Sequence, residues 1–593
     1  MKRFKLHILS TMLTALFFLA LQNAKATTFT AVASGDWTST ATWGGTAPDI
    51  NATDVNVIIP VGINVTLDNH ISISGSSSSL EVLGEVSAAT NSSLTIIDGS
   101  LTGQGQLNIK ELALEGSATV LLAGIINTDV FVNNVSNLSI ISNLNVNHEI
   151  RLESGTFSLD LGGALLFGND VTINFAGGDF VVNNGTLTIV APYNVIYSHD
   201  ANFVAGAELT SPNLKDLTID ISSGNTLTLS NNVFVNGTLT LESGTLDLND
   251  YYFSVFGTID ASASSEIHSS AEANINLDLQ TEPSGSLNFS SDGNHVNDFM
   301  INIADTGYII ISSALTVNGS LTFGGFGSIM ISDSDLMVSH SDSISGYGHL
   351  AYVMTSGDGY FGAYVDAGAS ASAHFPVGTE FHYSPANIEL NSGSSSGNVM
   401  VNVYGNVRVD GYSGISVSDH QSVVNATWYV SSDVSANLDM NLELFWNADM
   451  EVNNFNNSAA YVSHYTEGSW DVVATAEANV EADGMLSLKR ENITSLSPFG
   501  VFDEDAAVSV SEVADFQFEL FPNPSNGIVY IQGLDYQEEG YQISIYDAIG
   551  KRVENFTFDN NQIELDLSHL KSGIYFINIY NKNVKSVNKV TLF

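Results

Sequence analysis

DLTIDISSGNTLTLSNNVFVNGTLTL, residues 216–241, is the stretch from which the fold of this 593-residue chain is predicted. It aligns without a gap with DFMINIADTGYIIISSALTVNGSLTF, residues 298–323, at an offset of 82 residues. An earlier copy, NVNHEIRLESG at residues 145–155, aligns with residues 234–244 at an offset of 89. The chain therefore repeats itself, and repeats of this kind are typical of stacked architectures.

Within each copy, short runs alternate apolar and polar residues with a period of two, as strands with one buried face do. Turn dipeptides such as Asn236-Gly237 and Asn318-Gly319 separate the runs, and both residue types tolerate the backbone of a tight corner. Strands this short cannot bury an apolar face alone, so they must stack. We expect a right-handed β-helix, or β-solenoid, over residues 88–360.

The 82- to 89-residue interval predicts several coils per copy, because solenoid repeats usually run to ~20–45 residues. A string of separate β-sandwiches is the competing geometry, and the sequence leaves it open. Either way the chain is expected to be all-β, since helical apolar spacing is almost absent after the N-terminus.

Charge and cysteine content narrow the class of protein. The chain has 64 acidic residues against 16 Lys and Arg, a formal net charge of −48, and no cysteine. Such a surface repels phosphate backbones and anionic lipid, so nucleic acid is not an expected partner. Without disulfides or thiolate metal sites, the apolar core alone must hold the fold together.

The first 26 residues have the features of a secretory signal peptide. Basic residues (Lys2, Arg3 and Lys5) precede a mostly apolar run over residues 12–21, and small residues stand at Ala24 and Ala26. No later run approaches the ~20 apolar residues of a transmembrane helix. We therefore expect an exported chain without a transmembrane segment.

The last eighty residues contain four further alternating runs, at 516–532, 541–553, 563–580 and 587–593, which predict a small β-sandwich. The spacing of their turn motifs resembles the type A C-terminal sorting domain of Bacteroidetes proteins exported by the type IX secretion system. The resemblance implies export to the cell surface or the extracellular space, with the type IX machinery as a partner. The residues that carry it are Pro522, Asn523, Pro524, Gly527, Tyr546, Asp547, Gly550, Gly573 and Tyr575.

Residues 27–87 form a candidate N-terminal module with two tryptophans, Trp37 and Trp43, beside Gly44. Together with Pro48, this pattern resembles the glycine-rich "eight-glycine" module that begins many secreted β-helical proteins. The resemblance implies a cap on the first coil of the solenoid. The alternative is a glycan-binding site in which Trp37 or Trp43 stacks on a sugar.

Residues 373–503 contain the other three tryptophans, Trp428, Trp446 and Trp470, on alternating runs that suit the inner faces of two packed sheets. The motifs at 375–378 and 497–499 resemble the β-sandwich that often precedes the sorting domain in secreted Bacteroidetes proteins. The acidic segment 504–515 is predicted to be a solvated linker, and the resemblance implies removal of the sorting domain, residues 516–593, near it.

One acidic segment is a candidate metal site. In SDSDLMVSHSDS, the carboxylates of Asp333 and Asp335 are two residues apart and so share a strand face, with Asp342 nearby. Hard oxygen ligands of this kind suit Ca²⁺, although no EF-hand spacing is present. The alternative, which the abundance of acidic residues favours, is an exposed acidic face with no bound metal.

The sequence assigns no catalytic residue. The segment 393–397 fits G-x-S-x-G, but that motif needs a strand-turn-helix in an α/β sheet, and none is predicted. A uronate lyase needs cations, and residues 27–515 contain only six Lys or Arg: Lys110, Arg151, Lys215, Arg408, Lys489 and Arg490. A glycosidase needs two carboxylates, which this chain has in excess and which the sequence does not single out.

These observations predict a secreted or cell-surface-attached, non-catalytic β-solenoid protein with an adhesin-like or matrix-scaffold role. An extracellular β-helical carbohydrate-active enzyme or a glycan-binding protein is the alternative, with extracellular polysaccharide or cell-surface glycan as the partner.

Overall fold

The structure, a computed structural model, describes residues 26–593 except 305, 420, 435, 497, 505–513, 516–518, 533–540, 548–550, 559–562 and 581–583. The predicted signal peptide and most of the predicted linker therefore lie outside the described residues. The chain divides into two compact units, Met1–Ile329 and Met330–Phe593. None of the described helices is both long enough and apolar enough to cross a membrane.

Strands make up almost all of the described residues of the first unit. Within residues 26–329, apart from residue 305, they are interrupted by one α-helical turn, α1 (Thr40–Trp43), and one 3-10 turn (Ala207–Leu209). The strands are β1 (Thr27–Thr30), β2 (Gly35–Asp36), β3 (Asn51–Thr53), β4 (Val55–Ile59), β5 (Asn64–Leu67), β6 (Ile71–Ser74), β7 (Ser79–Val82), β8 (Glu85–Ala88), β9 (Ser93–Ile97), β10 (Ser100–Gly103), β11 (Gln106–Gly116), β12 (Thr119–Leu122), β13 (Ile125–Ile140), β14 (Asn143–Leu159), β15 (Ala164–Phe167), β16 (Val171–Phe175), β17 (Asp179–Val182), β18 (Thr186–Thr188), β19 (Tyr193–Tyr197), β20 (Phe203–Val204), β21 (Leu214–Asp220), β22 (Thr226–Thr228), β23 (Val233–Val235), β24 (Thr238–Asp247), β25 (Tyr252–Val255), β26 (Thr258–Ala261), β27 (Ser265–Ser269), β28 (Asn274–Leu279), β29 (Ser284–Leu287), β30 (Phe289–Val296), β31 (Phe299–Ile303), β32 (Tyr308–Ile311), β33 (Leu315–Val317), β34 (Leu321–Phe323) and β35 (Ser328–Ile331).

Every strand pairing described within Thr27–Ile329 is parallel, and paired residues lie one coil apart in sequence. Three ladders begin in the first coils of the unit. The first begins with β1, β4, β7, β10 and β12; the second follows β5, β8, β11, β13 and β14; and the third follows β6, β9, β11, β13, β14, β16, β19, β21 and β24. Parallel coils stacked in this way confirm the β-solenoid and exclude a string of separate sandwiches for this part of the chain.

The two sequence offsets have different structural meanings. Successive pairings on the third ladder join Ile150, Ile173, Val195, Leu217 and Leu239, so the 89-residue offset is four whole coils in register. The 82-residue offset instead relates residues on different ladders. It matches Leu217 with Phe299, which belongs to the ladder of β23, β25, β28, β31 and β34. The copies at 216–241 and 298–323 thus share a strand pattern, but corresponding strands of the two copies lie on different faces of the solenoid.

Side chains that point into the coils form a continuous apolar interior. Alternate residues of β4, β7 and β10 are fully buried, as in Val57, Leu80 and Leu101. Farther along, aromatic rings stack between coils: the ring of Phe157 lies 5.4 Å from that of Phe131 and 5.5 Å from that of Phe180, centroid to centroid. Burying such a large apolar area is what stabilises a cysteine-free chain.

Glycines stack at one corner of the early coils, where successive backbones approach closely. A Cβ on Gly105 would lie 2.1 Å from the carbonyl oxygen of Gly84, and a Cβ on Gly124 would lie 1.7 Å from that of Gly105. No side chain fits at these distances, so this corner requires glycine in consecutive coils.

The second unit begins with parallel strands and continues with antiparallel sheets. Its strands before the sorting segment are β36 (Leu336–Val338), β37 (Ile344–Ser345), β38 (Val353–Thr355), β39 (Phe361–Val365), β40 (Ala373–Phe375), β41 (Val377–Gly378), β42 (Ala386–Leu390), β43 (Gly397–Tyr404), β44 (Val423–Ser432), β45 (Met440–Trp446), β46 (Glu451–Val452), β47 (Ala460–Thr466), β48 (Ser469–Trp470), β49 (Asn479–Val480), β50 (Leu486–Ile493) and β51 (Pro498–Asp503). Single 3-10 turns lie at Ser341–Ser343, Val417–Asp419, Ala448–Met450 and Asn457–Ala459.

In this unit β36 pairs with β39 and β38 with β41 in parallel, whereas β39 also pairs with β43 antiparallel. One antiparallel sheet contains β43, β44 and β51, and another has the order β40-β42-β45-β50-β49. Trp428 and Trp446 are fully buried, and the indole N–H of Trp428 donates to the carbonyl oxygen of Ser384 at 2.8 Å. The predicted all-β class, a solenoid followed by sheets, is confirmed.

Candidate functional site

The described part of the C-terminal segment is built from eight strands in two sheets. They are β52 (Ala514–Asp515), β53 (Glu519–Phe521), β54 (Ile528–Gln532), β55 (Tyr541–Asp547), β56 (Arg552–Phe558), β57 (Ile563–Asp566), β58 (Gly573–Tyr580) and β59 (Val584–Leu592). The sheet orders are β53-β54-β57 and β52-β59-β58-β55-β56. Buried residues of both sheets, among them Val529, Leu565, Ile545 and Ile577, share one apolar core, so the segment is a small β-sandwich.

The Pro-Asn-Pro motif lies in the turn after β53. Asn523 bonds to the backbone of β59 twice: its side-chain amide donates to the carbonyl oxygen of Lys589 at 2.7 Å, and its Oδ1 accepts from the N–H of Thr591 at 3.0 Å. The N–H of Ser525 also donates to the carbonyl oxygen of Thr591, at 2.8 Å. The motif therefore fastens the smaller sheet to an edge of the larger one.

Gly527 and Tyr575 also have structural roles in this domain. Gly527 has a φ of +124°, and a Cβ there would lie 2.6 Å from Cα of Ser568. The hydroxyl of Tyr575, which is 8% exposed, donates to the carbonyl oxygen of Lys571 at 2.8 Å and so closes the turn before its own strand.

The Tyr-Asp motif ends β55. The N–H of Asp547 donates to the carbonyl oxygen of Lys551, and the carboxylate of Asp547 accepts from the N–H of Lys551, both at 2.9 Å. Tyr546 pairs with Phe576 of β58. Gly550 lies outside the described residues. Among the predicted sorting residues, Asn523, Gly527, Asp547 and Tyr575 thus hold turns and sheet edges in place.

Trp37 and Trp43 lie in the interior at the N-terminal end of the solenoid. Their exposed fractions are 0% and 7%, and their rings meet edge to face at 5.3 Å. The indole N–H of Trp43 donates to the carbonyl oxygen of Trp37 at 2.7 Å, and the N–H of Trp37 donates to the carbonyl oxygen of Thr66 at 2.8 Å. This packing supports the capping role and leaves neither ring open to stack on a sugar.

The acidic residues predicted as calcium ligands accept hydrogen bonds from a neighbouring turn. Asp333 Oδ1 accepts from the N–H of Asp358 at 3.2 Å, and Asp335 Oδ1 accepts from the N–H of Tyr360 at 2.8 Å. Asp342 lies in a separate 3-10 turn. Within the described part of the chain, no group of three His, Cys, Asp or Glu side chains is arranged to hold a metal ion. The geometry therefore gives the calcium hypothesis no support.

A groove of about 670 Å³ follows one corner of the solenoid, and the sequence reasoning did not single it out. Each of five consecutive coils contributes to it where the chain passes from the second ladder to the third. The lining residues are His70, Asn91, Ser92, Ser93, Lys110, Glu111, Asp129, Val130, Asn147 and His148. A polar residue recurring every 19 to 21 positions (His70, Asn91, Lys110, Asp129, His148) is the signal in the sequence that would have revealed it.

Polar contacts between coils arrange the groove side chains. Lys110 Nζ lies 2.6 Å from Asp129 Oδ2, and the side-chain amide of Asn147 donates to Asp129 Oδ1 at 3.4 Å. His70 Nδ1 lies 2.8 Å from the hydroxyl oxygen of Ser93. The hydrogen bond from Lys110 lowers the pKa of Asp129, so this carboxylate is ionised over the ordinary range of pH.

A buried carboxyl group in the middle of the solenoid was also missed. Glu208 is 1% exposed, and its Oε1 accepts from the hydroxyl of Tyr197 at 2.6 Å and from the N–H of Gly206 at 2.7 Å. Burial raises the pKa of Glu208, and these two hydrogen bonds oppose that rise. The residue fixes the irregular turn at Ala207–Leu209 against the coil interior.

Comparison with known proteins bears on the C-terminal domain. A family model for the secretion system C-terminal sorting domain matches residues 519–592. No curated protein matches the sequence. One solved structure that matches is PorZ, described as an essential bacterial surface component of the type-IX secretion system of Porphyromonas gingivalis, at 13% identity and a TM-score of 0.12.

That match covers 36% of this chain and 37% of PorZ, so the chain spans little more than a third of that protein, and a TM-score this low does not bear on the fold. The family match, by contrast, covers nearly all of the C-terminal sandwich and its turn motifs. Residues 519–592 of this chain are a secretion system C-terminal sorting domain, which implies handling by the type IX secretion system.

Proposed function

We propose that this chain is a secreted or cell-surface-attached β-solenoid protein with a non-catalytic, adhesin-like or matrix-scaffold role. The sorting domain implies delivery to the cell surface or the extracellular space. The residues before it supply a solenoid, and solenoids bind partners through extended surfaces.

The observation that carries the scaffold role is a ladder of polar side chains on an outer face of the solenoid. The side-chain amide of Asn108 donates to Glu85 Oε1, that of Asn127 to Asn108 Oδ1, and that of Asn145 to Asn127 Oδ1, each at 2.6 Å. Each bond joins one coil to the next. Because these side chains hydrogen-bond to one another from coil to coil, they stabilise the stack. A scaffold protein needs such a stack to present an extended binding surface.

The sorting domain leaves apolar residues accessible to export machinery. Ile574 and Phe576 of β58 are 43% and 38% exposed, and Val587 of β59 is 52% exposed. Alternate residues of a strand share a face, so Ile574 and Phe576 lie on the same side of the sheet. Together with Val587, these side chains give a partner an apolar surface to contact.

Deletion of residues 516–593 tests the proposal in cells of the source organism. We expect the full chain on the cell surface or in the medium, and the truncated chain retained inside the outer membrane, as measured by immunoblotting of cell fractions. Loss of attachment or of extracellular matrix on deletion of the gene would support the adhesin-like role. Unimpaired export of the truncated chain would contradict the role of the sorting domain.

A carbohydrate-active enzyme is the second candidate, because Glu111 and Asp129 line the same groove. Glycosidases act with one protonated and one ionised carboxyl group ~5–9.5 Å apart. A reducing-sugar assay of the full chain against neutral and acidic polysaccharides separates the two functions. Turnover that Glu111→Gln abolishes would establish the enzyme and refute the non-catalytic role.

A further inference from the structure

We propose that the corner groove between His70 and His148 binds an uncharged polysaccharide chain lying along the axis of the coils. This inference rests on the proposed function, because only an exported chain meets extracellular polysaccharide. It names the ligand class and the surface that the scaffold presents.

The shape of the groove favours a linear polymer. Its lining comes from five coils in succession, and parallel strands lie ~4.8 Å apart, so the groove extends about 19 Å along the stack. Corner residues recur once per coil, from His70 through Lys110 to His148. A ligand with repeating units along one direction can make similar contacts in each coil, whereas a compact ligand would leave most of the groove empty.

The lining chemistry favours hydroxyl groups. Both donors and acceptors line the corner: the ammonium group of Lys110 and the amides of Asn91 and Asn147 lie near the carboxylates of Glu111 and Asp129. A sugar hydroxyl both donates and accepts, so neighbouring hydroxyls can satisfy both kinds of group at once. A purely anionic or purely cationic ligand would match only half of them.

Charge excludes polyanions from this groove. Lys110 is paired with Asp129 at 2.6 Å, and Glu111 adds a further carboxylate, so the one lysine of the groove faces two carboxylates. The chain as a whole has a net charge of −48. Uronate polymers and nucleic acids would be repelled, which leaves neutral glycans as the fitting class.

The competing explanation is that polar residues at this corner only interact with water. Lys215 allows a comparison farther along the same solenoid. Its Nζ lies 3.5 Å from Asp170 Oδ1 and 3.5 Å from Asp216 Oδ2, and none of these three residues lines the groove. Lys110 and Lys215 are both partly exposed and both paired with an aspartate, with side-chain exposures of 57% and 47%. If the groove does not bind glycan, replacing Lys110 will change any glycan binding by the chain no more than replacing Lys215 does.

Affinity electrophoresis of the full chain tests this inference. The gels contain one neutral probe each (laminarin, dextran, xylan or mannan) or one acidic probe (alginate or polygalacturonate). We expect at least one neutral probe to retard the chain and neither acidic probe to do so. We expect Lys110→Gln to weaken binding about tenfold, the loss of roughly one good hydrogen bond, and Lys215→Gln to change it by less than about twofold. Melting curves of both variants establish that each is folded.

Three results would overturn the inference: no retardation by any neutral probe, retardation by acidic probes alone, or equal losses in the two lysine variants. The proposed function is measured separately, through export and reducing-sugar release. If the chain reaches the cell surface but binds no neutral glycan, only the proposal that the groove binds glycan is refuted. A chain that binds and hydrolyses a glycan confirms the groove and refutes the non-catalytic role.

Discussion

The solenoid and the sorting domain both bury an apolar core between short strands, but they hold it in different ways. In the solenoid, partners lie one coil apart and pair in parallel, as Leu80 does with Leu101. In the sorting domain, pairing is mostly antiparallel and one contact spans 66 residues, from Asn523 to Lys589. A residue of the solenoid is therefore constrained by the coils above and below it, whereas a residue of the sorting domain is constrained by one particular turn.

This difference decides where single substitutions act. Repetition gives the solenoid many equivalent contacts, so only positions at which backbones nearly touch should be sensitive. The sorting domain is small, and its stability depends on a few turns. Four substitutions, given in decreasing order of their expected cost, test that contrast.

Gly103→Ala in the solenoid should have the largest effect. Gly103 has a φ of +112°, and a Cβ there would lie 2.0 Å from the carbonyl oxygen of Val82 in the preceding coil. Strained backbone and overpacking together should cost about 3 kcal/mol. The control is Gly62→Ala, with a φ of +79° and no atom within 4 Å of the added Cβ; strain alone should cost it about 1 kcal/mol. Urea unfolding of the full chain measures both, and equal losses would contradict the importance of coil contact.

Gly527→Ala should have the next largest effect, within the sorting domain. Its φ of +124° and the 2.6 Å distance from the added Cβ to Ser568 Cα predict a loss of about 2 kcal/mol and reduced export. Gly573 belongs to the same motif set, but a Cβ there would have its nearest neighbour at 3.8 Å. Gly573→Ala should leave stability and export nearly unchanged. Immunoblots of the medium measure export; if Gly573→Ala blocks it in a folded chain, that glycine is recognised directly.

Asn127→Ala should weaken the solenoid by about 1 kcal/mol, because it removes two hydrogen bonds of the amide ladder that water can partly replace. Asn169→Ala, at an exposed turn outside that ladder, is the control and should be neutral. Thermal melting of the full chain compares them. An unchanged melting midpoint for Asn127→Ala would mean that the amide ladder does not contribute to stability.

Glu208→Gln should have the smallest effect, and one that depends on pH. Burial raises the pKa of Glu208, so the folded chain keeps this proton to a higher pH than the unfolded chain, whose Glu titrates at ~4.3. As the pH rises above that value, the unfolded state ionises first, and the stability of the native chain falls relative to the Gln variant. The difference in melting midpoint should therefore shift in favour of Gln between pH 4 and pH 7. A difference independent of pH would show that Glu208 has the same pKa in both states.

The sequence could predict the strands and coils, because both follow from local patterns. Period-two alternation and Asn-Gly corners define short strands that must pack against neighbouring strands, and a stack of coils is the predicted arrangement. It could also predict the sorting domain, since Pro522 and Gly527 occupy fixed positions in turns and Tyr575 a fixed position just after one. It could not predict which copies lie on the same face of the solenoid. Residues 216–241 and 298–323 align well, yet Leu217 and Phe299 belong to different ladders.

The sequence could not predict the groove either. Lys110 and Asp129 look like isolated charges in the chain, and only stacking brings them to 2.6 Å. The sequence also could not show whether the two tryptophans near the N-terminus are buried or exposed. The sequence favours a capping role for Trp37 and Trp43 over a sugar-binding role, and burial in the structure supports that preference.

The sequence by itself determined that this protein is all-β, that its strands repeat and that residues 516–593 resemble a sorting domain, because each depends on residues within one strand or turn. The parallel pairings of the structure decided that the repeats stack as coils and do not form separate sandwiches. The tertiary structure alone decided which face each repeat occupies, which polar residues line a groove and which carboxyl group is buried. Those properties depend on residues about twenty positions apart, whose meeting is set by the length of every coil between them.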